Sequence, residues 1–173
     1  MFYISEIMTS EPQEYKNQLQ KETYKALAQL KIPFERVDTD EAVTMDDCIL
    51  IDQKLNMKMV KTLFLCNRKK TIFYLFVTTG EKAFDTKNFS NALGISRVSF
   101  GPAELMEEML GNKIGAATVF GTLLDLNRDV QVIIDKFPSN GFQPSFYGTV
   151  AVVDGIKLRP LHPGLGKSFL VNI

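Results

Sequence analysis

An α+β fold follows from three observations. Helical and strand-like segments are interspersed along the whole chain. Two pairs of strand-like runs are joined by short turns. Residues 61–66 and 71–78 flank Asn67-Arg68-Lys69-Lys70, and residues 150–158 fold about Asp154-Gly155, a pair suited to the positive φ angles of a type I′ turn. No linker or internal repeat divides the 173 residues. Hairpin connections disfavour a doubly wound parallel sheet, and the length suits a single domain spanning 1–173.

The elements read in order as follows. Residues 1–8 alternate loosely, as a short strand or an extended arm. Ser10-Glu11-Pro12-Gln13 reads as a helix start, with a capping hydroxyl, an early proline and a glutamine three residues after the cap. Tyr15, Leu19, Thr23, Ala26, Leu27 and Leu30 then mark an apolar face to about Lys31. Pro33 closes that helix and residues 34–37 suit a strand. Thr44-Met45-Asp46-Asp47 is a second capping signature, opening a helix that ends near Lys54. Beyond the first hairpin, residues 86–93 read as a helix stopped by Gly94, and 97–100 as a short strand. Residues 102–110 form a helix bounded by Pro102 and Gly111, and 130–134 form another strand.

Composition bounds the function classes. Twenty basic residues balance twenty acids, which excludes coating nucleic acid by bulk charge but permits a local basic groove. The distribution is uneven. Residues 35–52 hold seven acids against Arg36 alone, whereas 54–70 hold Lys54, Lys58, Lys61, Arg68, Lys69 and Lys70 and no acid. Cys48 and Cys66 lie in apolar settings without metal-ligand spacing, so both read as small buried hydrophobes. No metal and no cofactor is expected. No apolar run approaches 18 residues and no signal-peptide pattern opens the chain, so a cytoplasmic protein without a membrane partner is expected.

Lys61 stands immediately before the apolar run Thr62-Leu63-Phe64-Leu65. Runs of charge are usually solvated faces. A long cation at the mouth of a buried strand is nevertheless a poor core residue and a good grip for an anionic group such as a phosphate.

The order of elements and the residues inside them resemble the YbaK/prolyl-tRNA-synthetase-associated family. The similarity runs from the first helix through Pro33-Phe34-Glu35-Arg36-Val37 and is sharpest at Val60-Lys61-Thr62-Leu63-Phe64-Leu65. It continues at Phe73-Tyr74-Leu75-Phe76-Val77, Leu93-Gly94, Arg97-Val98-Ser99-Phe100, Glu104-Leu105, Gly115 and Val132-Ile133-Ile134-Asp135-Lys136. Among free-standing members the chain is most similar to PrdX-type proteins, which clear alanine from mischarged proline tRNA. Two departures stand out. Val119 occupies the position of the family's loop proline, and His162-Pro163-Gly164-Leu165-Gly166 lacks the asparagines of the family's late segment.

The resemblance implies a mixed, mainly antiparallel curved sheet flanked by helices. It also implies an aminoacyl-tRNA deacylase that needs no metal, because the ester of a charged tRNA is already activated. Lys61, Gly115 and His162 are the implied catalytic residues. Lys61 would pair with the terminal phosphate or 3′-adenosine, and the small-residue run Gly115-Ala116-Ala117-Thr118 would bring backbone close to the ester or its water. Thr118 adds a hydroxyl, and Met45, Leu63 and Phe120 are candidate pocket walls. Lys58, Arg68, Lys69 and Lys70 are candidate tRNA contacts. The implied substrate is the acceptor end of tRNA(Pro) carrying alanine, with prolyl-tRNA synthetase as a partner. The alternatives are a Cys-tRNA(Pro) deacylase and a non-catalytic tRNA- or synthetase-binding domain.

Overall fold

The computed structural model describes residues 2–42, 45–57, 60–113 and 115–135, with the backbone alone at Met45, 151–152 and 156–158. Lys58, Thr44, the Asp154-Gly155 turn, His162 and the Met45 side chain lie outside the described residues. The described chain forms two compact units, divided after Val60.

In the first unit the N-terminal arm is extended chain. Met8 and Arg36 exchange backbone hydrogen bonds of 2.8 and 2.7 Å, and Ile4 bridges Thr39. The buried Arg36 guanidinium donates to the Ser10 carbonyl at 2.7 Å and pairs with Asp38 at 2.6 Å. These bonds overturn the helix start expected at Ser10, because they hold its backbone beside a strand. The first helix, α1 (Gln18–Gln29), begins instead at Asn17, whose side chain accepts from the Gln20 amide at 2.8 Å. Gln20 Oε1 in turn accepts from the Lys16 amide at 2.7 Å, close to the reciprocal pattern of a capping box. Leu19, Tyr24 and Leu27 turn inward, and the Tyr24 ring lies 5.3 Å from that of Phe34.

Strand β1 (Phe34–Arg36) pairs antiparallel with β7 (Ile156–Leu158), which pairs antiparallel with β6 (Ala151–Val152). The hairpin expected at 150–158 is therefore present in the backbone pairing. Helix α2 (Met45–Leu55) places Asp46 and Asp47 in its first turn, where negative charge suits the helix dipole. Its Ile51 and Leu55 pack on Val37 with Phe2, Ile4 and Met57 beside them.

The second unit is built on a four-stranded sheet in the order β4-β2-β3-β5. The hairpin strands β2 (Val60–Cys66) and β3 (Phe73–Thr79) are its neighbours at the centre. Residues 73–78 are buried without interruption, as befits a strand covered on both faces. Helix α3 (Thr86–Leu93) is capped by Asp85, which accepts from the Lys87 and Asn88 amides, and closes on Gly94 at φ +63°. Strand β4 (Ser99–Phe100) pairs antiparallel with the end of β2. Helix α4 (Ala103–Leu110) runs from Pro102 to Gly111, as the sequence predicts. Strand β5 (Val130–Ile134) has the expected bounds but pairs parallel to β3, with Val77 opposite Ile134. The sheet is mixed, and helices cover both faces.

Alternation along the strands divides the core into two layers. Phe64, Cys66, Phe73, Leu75 and Val130 pack against α4 and Ala117. Leu65, Tyr74, Phe76 and Ile133 pack against Phe89 of α3 and Val98. Phe64 and Phe73 stack at 5.6 Å in the first layer, and Phe76 meets Phe89 edge to face at 5.1 Å in the second. Such pairs add about 0.5–1.5 kcal/mol each beyond burial.

Candidate functional site

The same alternation decides what Lys61 can meet. Lys61, Leu63 and Leu65 share one face of β2, and Leu63 packs on the α3 layer. Thr78 shares that face with Tyr74 and Phe76 on β3, and Asp135 shares it with Ile133 just past β5. Lys61 is the second residue of β2, Thr78 the penultimate residue of β3 and Asp135 the residue after β5, so all three belong to one end of the sheet on the α3 side.

Hydrogen bonds join them into a chain. The Lys61 ammonium donates to the backbone carbonyl of Lys82, in the turn between β3 and α3. Lys82 Nζ pairs with Asp135 Oδ2 at 2.6 Å, and Thr78 Oγ1 donates to the same oxygen at 2.6 Å. The Asp135 amide donates to the Val77 carbonyl at 2.9 Å, extending the β3–β5 ladder by one rung. Asp135 is 2% exposed, and its Oδ1 has no hydrogen-bond partner among the described residues. A buried acceptor left open costs about 1–3 kcal/mol.

Sequence reasoning nominated Lys61 and Leu63 here and missed Lys82, Thr78 and Asp135. The available signal was Asp135 itself, an acid directly after Val130-Gln131-Val132-Ile133-Ile134. Its cation stands 53 positions earlier, in the polar segment Gly80-Glu81-Lys82, and nothing local connects the two.

The small-residue bend follows α4, and one of its residues, Ala117, joins the other layer. Gly115 is exposed at φ +81°, with open space where a Cβ would project, and Ala117 two residues later packs with Phe64, Cys66 and α4. No described contact joins Gly115–Thr118 to Lys61. The Thr118 hydroxyl is buried and occupied, accepting from the Phe120 amide at 3.3 Å to cap a short 3₁₀ turn, Val119–Leu123. The Thr118 amide donates to buried Asn112 at 3.4 Å. Thr118 is thus a cap, and Phe120 is half-buried on the turn it caps.

Arg68, Lys69 and Lys70 are exposed at the hairpin tip, with Lys70 at φ +55°. Asn67 shapes that tip by accepting from the Thr71 amide at 2.9 Å. The tip is at the far end of β2 from Lys61, about 20 Å away at the usual strand rise. A groove of about 380 Å³ in the first unit, lined by Leu27, Ala28, Lys31, Ile32, Pro33 and Phe34 among others, contains none of the nominated residues. Neither thiol suits a nucleophile. Cys66 is buried, and burial followed by the Asp52 and Asp47 carboxylates raises the pKa of Cys48. Among the described residues no three His, Cys, Asp or Glu side chains gather where they could hold a cation. No described helix is long and apolar enough to cross a membrane.

The arrangement can therefore grip an anionic or carbonyl-bearing group with an oriented ammonium, beside a buried carboxylate held by two donors. Comparison with known proteins fits that chemistry. The model of the aminoacyl-tRNA editing domain matches residues 41–137. The prolyl-tRNA editing protein ProX of Acetoanaerobium sticklandii is 30% identical over 110 residues, spanning 64% of this chain and 67% of ProX. Two solved structures share the fold at low identity. A hypothetical protein, APE2540, gives a TM-score of 0.57 at 13% identity, covering 79% of this chain and 86% of its own. A computationally designed epitope scaffold gives 0.56 at 15%, covering 82% and 85%. A domain match across more than half of the residues, with Lys61 and Asp135 both inside it, shows that this chain belongs to the aminoacyl-tRNA editing domain family and is an aminoacyl-tRNA deacylase.

Proposed function

We propose that the protein hydrolyses the ester of Ala-tRNA(Pro) in trans, with Lys61 docking the terminal phosphate or 3′-adenosine of the acceptor end. The observation that carries this is the Lys61 ammonium fixed to the Lys82 carbonyl at the end of the sheet, above a buried carboxylate. The name of the ProX relative supports proline tRNA as the acceptor. Prolyl-tRNA synthetase is the partner this substrate implies.

The chemistry asks little of the protein. An aminoacyl ester is activated, so water suffices as nucleophile once the ester is held. Positioning supplies several kcal/mol of the barrier, and a well-aimed charge-stabilising donor about 2.7–4 kcal/mol. Selectivity is a matter of size. A synthetase built for proline discriminates against a smaller side chain by only about 1–3 kcal/mol, and a second, smaller pocket restores the margin. Leu63, on the face of β2 that carries Lys61, is the wall best supported by the packing. The exposed Gly115 bend, with open space beside it, is the proposed place where backbone approaches the ester or its water.

Ala-, Cys- and Pro-tRNA(Pro), each carrying a labelled amino acid, test this directly. Alanine should be released fastest and proline slowest. Faster release of cysteine would replace the substrate with Cys-tRNA(Pro). Binding of all three without release would reject hydrolysis and leave a tRNA-binding domain.

A further inference from the structure

Lys61 does not orient itself. Its ammonium meets a backbone carbonyl in the exposed turn after β3, and a carbonyl in such a turn is held only as well as the turn is. The residue that owns the carbonyl, Lys82, sends its side chain the other way, to the buried Asp135 at 2.6 Å. Asp135 is fixed in turn by the Thr78 hydroxyl at 2.6 Å and by its own amide on the Val77 carbonyl at 2.9 Å. Two lysines that would repel each other are thus arranged head to tail, one donating to the other's main chain while the second is neutralised by a carboxylate. The Lys82 side chain is half exposed, so its pair with Asp135 is a weak source of stability. The turn is closed by the Lys82 amide on the Thr79 carbonyl at 3.3 Å and followed by Phe84 in the aromatic layer. A further ion pair from its Lys82 side chain to a buried acid therefore makes better sense as a positioning device than as an anchor for the fold.

We propose that Lys82 is a positioning residue for the deacylation. Its ion pair with Asp135 pins the turn, and the pinned carbonyl aims the Lys61 ammonium at the substrate. The inference rests on the deacylase reading for its kinetic consequence, but the aiming of Lys61 can be measured without substrate.

Lys82→Met, which keeps the length and removes the charge, is the decisive variant. Two measurements apply to it: site-resolved acetylation of Lys61 by acetic anhydride, read by mass spectrometry, and single-turnover deacylation. Lys61 should be labelled several-fold faster once its carbonyl partner is free to move. Turnover should fall about 10- to 100-fold with KM within about threefold, the pattern of a misaimed group rather than a lost binding contact. Lys82→Arg, which preserves the pair with Asp135, should recover most of the turnover. Thr78→Val loosens the same anchor from the other side and should shift Lys61 labelling in the same direction. It serves as the second variant if Lys82→Met is poorly folded by circular dichroism. Unchanged labelling of Lys61, or wild-type turnover in folded Lys82→Met, overturns the proposal. A wild-type protein that releases no amino acid overturns the deacylase substrate instead, and the labelling result still decides whether Lys82 aims Lys61.

Discussion

At Lys61 one ammonium group sits at the mouth of a strand whose next apolar residues are core, and its single described hydrogen bond runs to main chain. Removing it should leave the fold nearly untouched, because the side chain is only half-buried and belongs to none of the described core clusters. Lys61→Ala is expected to lower deacylation at least about 100-fold while unfolding free energy moves by less than about 0.5 kcal/mol. Turnover and thermal melting on the same preparation check both halves, and retained turnover would remove Lys61 from the site. Cys48 gives a pH-dependent expectation of the opposite kind. Burial, then Asp52 and Asp47, raise the pKa of its thiol, so the reactive thiolate is scarcer in the folded protein than in the unfolded chain at neutral pH. Site-resolved iodoacetamide labelling should therefore be slower for native than for denatured protein, and the native rate should climb only at more alkaline pH. Faster native labelling would mean an activated thiol. Lys61 stands out in the sequence because a cation before an apolar run is anomalous. Asp135 was not, since a polar residue after a strand is ordinary, and only the fold brings Lys82 to it.

Element boundaries were legible wherever a single signal governed them. Helix α3 keeps the expected span and stops at Gly94, α4 lies between Pro102 and Gly111 as predicted, and β5 keeps the span of its β-branched run. Helix α1 departs because tertiary pairing claims the segment where the sequence predicts its start. Ser10 has the better sequence signature, yet its carbonyl is taken by Arg36 while Asn17 caps the helix. The consequence is measurable. Asn17→Ala should cost about 1 kcal/mol of stability, whereas Ser10→Ala should cost less than about 0.5 kcal/mol. Denaturant unfolding of the two variants separates the starts, and a larger loss at Ser10 would restore the earlier boundary. Likewise, the small residues of the Gly115 bend suit close approach of backbone to a ligand, a local property the sequence shows directly. The packing of Ala117 against α4 was visible only in the fold, since no local pattern marks it.

Across the whole molecule, charge that sums to zero is locally polarised, and the basic half includes the exposed tip Arg68-Lys69-Lys70. Phosphate contacts made at the tip would lie about 20 Å along the strand from Lys61, a span a tRNA acceptor arm easily bridges. Replacing all three residues by alanine should weaken tRNA binding and reduce the slope of log K against log salt by about two, since fewer counterions are released. An unchanged slope would move the tRNA path away from the hairpin tip. The α+β class and the hairpins were readable from pattern. The parallel pairing of β5 with β3 was not, because parallel neighbours are joined through long crossovers that leave no local mark. That pairing has a bearing on how the enzyme comes to life on the ribosome. Strand β5 and Asp135 leave the exit tunnel some fifty residues after Lys82, and a long-range parallel rung forms late because loop closure precedes any gain from contact. A nascent chain arrested before Val130 already carries Lys61 and its turn but lacks the carboxylate that moors Lys82, so proofreading competence should arrive in a single late step, when the last described strand of this sheet is laid down.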